Sequence, residues 1–305
     1  MEEGKKFFLN LIAILVILAL SVYWFVPLNK IHFNTGPRNY NFSLNSSVNS
    51  DLQFHPNLRF ANTDISFRIY DCSLQRKYDM ERAFDIIEEK TILSFYPVQY
   101  GEEIFVTCED KSVFDKESKT YVAGEGGPTS VTISGNFNII SSGEILLLKD
   151  SGCENPNIAI HELLHVLGFV HSDNPNNIMY EFSRCDQTIG EDMIDYINEL
   201  YSVPTQPDLA FEGVGAVMNG KYLTVNFTVR NNGLTYSGKS KVIIIADEKI
   251  VKEVEIAPIE AGEGIKISLS TWVPQINVKK IEFVIDSDFS ELDKINNNIY
   301  LEIKK

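Results

Sequence analysis

Positive charge is scarce in this 305-residue chain: 27 lysines and arginines face 42 aspartates and glutamates, a formal net charge of -15. Such a polyanion repels phosphate backbones, which argues against a nucleic-acid partner. Cysteine is scarcer still. Only Cys72, Cys108, Cys153 and Cys185 occur, none in the C-terminal third, and no two form a CxxC pair, which disfavours a cysteine-bound zinc site. Apolar residues are not lacking: 44% of the chain is hydrophobic and 23% charged, the balance of folded rather than disordered protein. The length suits one large or two ordinary domains.

Charge is also missing from residues 7–28, FFLNLIAILVILALSVYWFVPL, where only Asn10 and Ser21 interrupt the apolar run. As a helix this run is about 33 Å long, enough for a bilayer core of about 30 Å. Lys5 and Lys6 precede it and Tyr23-Trp24 suit the far interface, so residues 1–6 are expected in the cytoplasm and everything after the span outside. The alternative is a cleaved signal peptide and a secreted protein, with Ala19 and Ser21 as small residues before the cut. In either case the four cysteines meet oxidising conditions. Four allow three pairings. The favoured one joins Cys72 to Cys108, each closing a predicted strand, and Cys153 to Cys185, bracketing the histidine motif described below; free buried thiols are the other outcome.

Residues 29–60, rich in Asn and Ser, read as a stalk or lead-in. A strand is expected at Asp64–Tyr70, a helix over 75–94, and strands at Glu103–Cys108, 129–140 and 144–149. Turn signals fall at Gly124–Pro128, Gly135-Asn136 and Ser141–Gly143. Asn155-Pro156 opens a helix expected to run to about Gly168. Thr188 and Glu191 form a capping box for a further helix, Ile189 to Tyr201. Pro204 and Pro207 mark a linker at 203–207, after which the pattern turns all-β.

The chemistry concentrates in His161-Glu162-Leu-Leu-His165-Val-Leu-Gly168-Phe-Val-His171. Positions four apart share a helix face, so His161 and His165 can grip one metal ion. Gly168 can adopt a left-handed conformation and turn the chain out of the helix, bringing His171 back as third ligand. Three imidazoles leave a fourth position open, as a catalytic zinc site requires. Glu162 stands beside the first ligand, where its carboxylate can act as general base without ligating. The bland reading of the motif is two solvated histidines and a surface glutamate; a glycine and a third histidine at the spacing the geometry demands weigh against it.

This stretch resembles the signature of the metzincin metalloproteases, and within them the matrixins. Ser172, Pro175 and Ile178-Met179-Tyr180 follow His171 at a spacing similar to the segment leading to that family's methionine turn. The resemblance covers roughly residues 61–202. It implies an α+β metalloprotease domain, a twisted sheet with long helices, binding one catalytic Zn2+ and cleaving a protein or peptide substrate. It also implies Met179 as an apolar floor beneath the metal, with Gly168 and Met179 supporting the site. There are departures. Glu181 replaces the proline usual after Met-Tyr. The remaining histidines, His32 and His55, lie far upstream, so a second, structural zinc is not expected. No Pro-Arg-Cys latency motif occurs.

From residue 208 to 305 about seven strand-like runs suggest an antiparallel β-sandwich. Pro207-Asp208-Leu209, Val229-Arg-Asn231-Asn-Gly233 and Glu291-Leu-Asp293-Lys-Ile-Asn296-Asn-Asn298 resemble CARDB domains, Ig-like modules of prokaryotic surface proteins, which implies a cell-surface ligand or a spacer role. Asp286, Asp288, Glu291 and Asp293 are candidate Ca2+ ligands, with a solvated acidic loop as the plainer reading. The expected molecule is a zinc endopeptidase held at the membrane; its rival is an adhesion protein with a metzincin-like domain that binds without cutting.

Overall fold

The computed structural model describes residues 11–18, 30–35, 52–111, 113–115, 120–150, 152–274 and 278–303. Among these no helix is long and apolar enough to cross a membrane. Of the expected span 7–28, residues 11–18 are helical (α1) with their apolar side chains exposed; the rest lies outside the described residues. The chain divides into two compact units. One comprises residues 42–207 with 232–235; the other comprises 1–41, 208–231 and 236–305.

The first unit is built on a mixed sheet. Its strands are β2 (Leu58–Phe60), β3 (Asp64–Tyr70), β4 (Ser94–Pro97), β5 (Ile104–Cys108), β8 (Gly124–Ser134) and β9 (Phe137–Leu147). They run in the order β2-β9-β5-β3-β4, all parallel, with β8 antiparallel to β9. A two-stranded ribbon, β6 (Val113–Asp115) and β7 (Thr120–Val122), precedes β8. Helix α2 (Leu74–Lys90) starts where the Ser73 side chain accepts from the Arg76 N–H, and ends where Thr91 Oγ1 donates to the Ile87 carbonyl. It buries Met80, Ala83, Phe84 and Ile87 at helical spacing, the stripe visible in the sequence. Helices α3 (Asn157–Val166) and α4 (Glu191–Tyr201) complete the unit. Pro156, not Asn155, precedes the first turn of α3, and Asn155 contributes its backbone carbonyl to the Asn157 N–H. Gly190 starts α4 in place of the expected capping box, because Thr188 is held in a bridge to Asn177.

Two expectations about this unit change. Residues 52–60, read as part of a loose lead-in, are packed: Gln53 is buried, bridges to Phe169, and exchanges hydrogen bonds with Leu58. The Gly124–Pro128 and Ser141–Gly143 segments, read as turns, lie within β8 and β9; of the three expected turns only Gly135-Asn136, with Gly135 at φ +55°, forms the turn of that hairpin. Buried Arg59 donates to the carbonyls of Leu200 and Val203 at the end of α4 and stacks over Tyr201 at 4.4 Å. Burial lowers its pKa to about 10. Its position suits the negative end of the helix dipole.

The second unit contains β10 (Leu209–Asn219), β11 (Tyr222–Asn231), β12 (Ser240–Ala246), β13 (Lys249–Ile256), β14 (Gly264–Trp272), β15 (Lys280–Ser287) and β16 (Asn298–Ile303). Alternation along β11, β12 and β15 buries one face around Phe211, Phe227 and Phe283. An eighth strand comes from the supposed stalk: β1 (Lys30–Thr35) pairs antiparallel with both β10 and β16. It joins two sets of strands into one path, β13-β12-β15-β16-β1-β10-β11-β14. Three of the four supposed calcium ligands have other work. Glu291 accepts from the Leu209 N–H, Ser287 Oγ and Asn297 Nδ2, Asp286 pairs with Lys241 at 3.3 Å, and Asp293 accepts from the Ile295 N–H. They do not gather as a metal-ligand group among the described residues.

Candidate active site

Helix α3 is apolar almost throughout and buried along its length, which fixes the two histidines it carries. His161 and His165 are each about 9% exposed, while His171 reaches in from an exposed position. Gly168, at φ +97°, makes the turn between them, and a Cβ there would meet Leu58 Cδ2 at 2.7 Å. The Nε2 atoms of His161 and His165 are 3.0 Å apart, and those of His165 and His171 3.1 Å.

The other ring nitrogens decide the tautomers. His161 Nδ1 is 2.7 Å from the Ile178 carbonyl and His165 Nδ1 is 2.8 Å from that of Phe169. A carbonyl only accepts, so both Nδ1 atoms carry the proton and both Nε2 atoms present bare lone pairs. Two lone pairs at this separation repel; a cation between them turns repulsion into ligation. Burial lowers the pKa of both rings, that of His165 to about 4, with neighbouring histidines adding to the effect. Neutral imidazoles with oriented Nδ1 protons are the donor set a divalent zinc ion takes. The residues present therefore fit the metal. Among the described residues this is the histidine-containing group whose ligand atoms lie within 4.8 Å of one another.

Met179 is fully buried, directly after the residue whose carbonyl orients His161. Its N–H donates to Asn177 Oδ1 and its carbonyl accepts from the Ser172 N–H, which closes the loop carrying His171. Phe54 stacks on His165 with ring centroids 5.9 Å apart.

Glu162 lies 5% exposed in a cleft of about 650 Å3 that the three histidines also line. Burial, and secondarily the nearby Glu125 carboxylate, push its carboxyl up to about 8. No other described residue hydrogen-bonds or ion-pairs with it. The opposite wall is β8. Gly124 and Gly126 sit two apart and so face the same way: a Cβ on Gly124 would come within 2.8 Å of Glu162 Cγ, and one on Gly126 would collide with the Glu162 carbonyl oxygen. The Gly124–Pro128 run, weighed in sequence as a lead-in to an edge strand but favoured as a surface turn, lies inside the strand itself; the spacing of two between Gly124 and Gly126 was the available signal. The third wall, Glu181–Cys185, is tied down by the buried side chain of Gln187. Its Nε2 donates to the carbonyls of Phe182 and Pro175, and its Oε1 accepts from the Arg184 N–H. Both disulfides form in the favoured pairing, Cys72–Cys108 and Cys153–Cys185, and the second joins this wall to the segment before α3.

Comparison with known proteins agrees with this architecture. The matrixin family model matches residues 42–202 and the CARDB model residues 206–300. Macrophage metalloelastase of Rattus norvegicus is 26% identical over 169 residues, covering 51% of this chain; the chain spans only 36% of that protein's length. Among solved structures, the CARDB domain of a Pyrococcus furiosus protein in complex with di-metal ions is 19% identical, at a TM-score of 0.28, covering 32% of this chain and 88% of that one. β-Glucosidase 3B from Thermotoga neapolitana in complex with α-D-glucose is 13% identical at a TM-score of 0.24, covering 32% of this chain and 16% of that one. The chain belongs to the matrixin family of metalloproteases and carries a CARDB domain behind the matrixin domain.

Proposed function

We propose that this protein is a zinc-dependent endopeptidase acting on proteins outside the cytoplasm, with His161, His165 and His171 as the metal ligands and Glu162 as the general base. One observation carries the reading: three imidazole Nε2 atoms converge beside a buried, unpartnered carboxylate in an open cleft. Zinc on these nitrogens would supply Lewis acidity and draw the pKa of a coordinated water down to about 7. Ile178 and Phe169 hold the rings in the ligating tautomer through their carbonyls. Glu162, next to the first ligand and lining the same cleft, would take the proton of the attacking water. The same carboxyl then delivers that proton to the leaving amine. Gly124 and Gly126 keep β8 close to the general base, and Met179 floors the site.

Location belongs to the same proposal. Residues 7–28 serve as a single-pass anchor with residues 1–6 in the cytoplasm, or as a signal segment, and the two disulfides suit the oxidising side. The test uses the purified full-length chain. It should contain one zinc per molecule and cleave casein in a chelator-sensitive way, whereas Glu162→Ala should keep the zinc and lose at least 100-fold in kcat, the scale of general-base catalysis at about 10²–10⁴-fold. Zinc content without cleavage in the unaltered chain would favour a binding protein instead.

A further inference from the structure

The charge of the cleft is unbalanced, and the imbalance bears on what it accepts. Besides the histidines and Glu162, its charged lining residues are Glu125, Glu181 and Arg184. Arg184 is already neutralised, donating through Nε and Nη2 to the Asp186 carboxylate at 3.1 and 3.0 Å. Glu125 and Glu181 are both exposed, and no described residue hydrogen-bonds or ion-pairs with either. Glu125 and Glu181 are thus the two carboxylates of the cleft with neither a partner among the described residues nor a part in the proposed water chemistry.

Both free carboxylates stand on rigid supports. Glu125 lies on β8 opposite Leu146 of β9, between the two glycines packed on Glu162. Glu181 opens the wall that Gln187 clamps, that Asn157 Nδ2 holds through the Arg184 carbonyl at 2.5 Å, and that Cys185 ties to Cys153. A charge without a partner in the protein pairs with the counter-charge that a ligand supplies, and so discriminates between ligands. The buried, unpartnered Glu162 carboxylate in the same cleft independently marks where the reacting bond is received.

We infer that Glu125 and Glu181 make the cleft selective for peptide segments with a lysine or arginine close to the scissile bond. The inference rests on the endopeptidase reading and names the substrate class of that same site. Glu181 stands at the position where the matrixin resemblance leads one to expect an uncharged proline, so this selectivity is a property of this chain's own residues.

The experiment digests a residue-balanced peptide library with the zinc-loaded full-length chain and identifies the cut sites by mass spectrometry. Lysine and arginine should be enriched within two residues of the cut. For a matched pair of peptides, one with lysine there and one with glutamine, Glu125→Gln combined with Glu181→Gln should lower the lysine-to-glutamine ratio of kcat/KM about tenfold, the scale of two partly exposed charge pairs. Glu181→Lys should turn the enrichment towards aspartate and glutamate. Cleavage with no basic enrichment, or an unchanged ratio in the double variant, overturns the inference while leaving the endopeptidase reading intact. A zinc-loaded chain that cuts nothing in the library defeats that reading, and this inference with it.

Discussion

Replacing Cys153 and Cys185 together by serine removes the bond that closes a loop of sequence separation 32 around α3 and the histidine turn. The chain-entropy relation gives about 3.7 kcal/mol at 25 °C for a loop of this length, through the extra freedom released to the unfolded chain. For a domain of matrixin size each kcal/mol moves the melting temperature by roughly 2–4 °C, so the double variant should melt about 7–15 °C lower. Differential scanning calorimetry of the full-length chain reads this directly; the matrixin transition is the one that a zinc chelator also shifts. Both cysteines line the cleft, so kcat/KM should fall as well, measured well below the new midpoint where the variant is still folded. A melting shift under about 2 °C would show that the Gln187 clamp and the Asn157 bond alone determine the loop, and that the cross-link constrains little the unfolded chain does not already hold.

Gly126→Ala pushes a methyl group against the Glu162 backbone and should cost about 1–3 kcal/mol, with loss of proteolysis, because neither β8 nor α3 can retreat; unchanged activity would mean the strand has room to shift. Phenanthroline should abolish cleavage and lower the matrixin transition, and zinc at 100 times its Kd should restore about 2.7 kcal/mol; a melting curve indifferent to both would remove the metal from the fold. In the C-terminal unit burial, reinforced by Glu291 and Asp293, raises Asp208 to about 6. A carboxyl raised in the folded state binds its proton more tightly there. Its ionisation therefore costs stability that grows as pH rises from about 4 to 6 and stays lost above. The melting temperature of Asp208→Asn relative to the unaltered chain should therefore improve as pH rises from 4 to 7, and a flat difference across that range would contradict the assignment.

Much of this molecule is written in local patterns. The strands of the C-terminal unit announce themselves because apolar and polar residues alternate, and Asp64–Tyr70 is found as a strand with the bounds read from sequence. The converging histidines are legible because helix periodicity and one obligatory glycine fix their geometry. What was hidden depends on close approach between segments distant in sequence. Gly124, Gly126 and Gly143 look like turn formers, yet each lies in a strand beside α3; a Cβ on Gly143 would meet Val166 Cγ1 at 2.5 Å. Their absent side chains serve helix-on-sheet proximity, which no window of neighbouring residues reveals. Gln53 and Gln187 were missed for the same reason, being polar side chains buried to satisfy backbone groups of other loops.

Strand β1 makes the C-terminal sheet from both ends of the polypeptide, with the whole matrixin domain intervening in sequence. During synthesis that sheet must wait for its last strands before the first can dock. A nick in the intervening segment would not by itself free the N-terminal piece, which stays hydrogen-bonded on two sides. A shortened chain starting at residue 60 would leave the edges of β10 and β16 bare, a template for sticking to other copies. Trimming at residue 60 to obtain a tidy catalytic fragment thus risks trading solubility for simplicity.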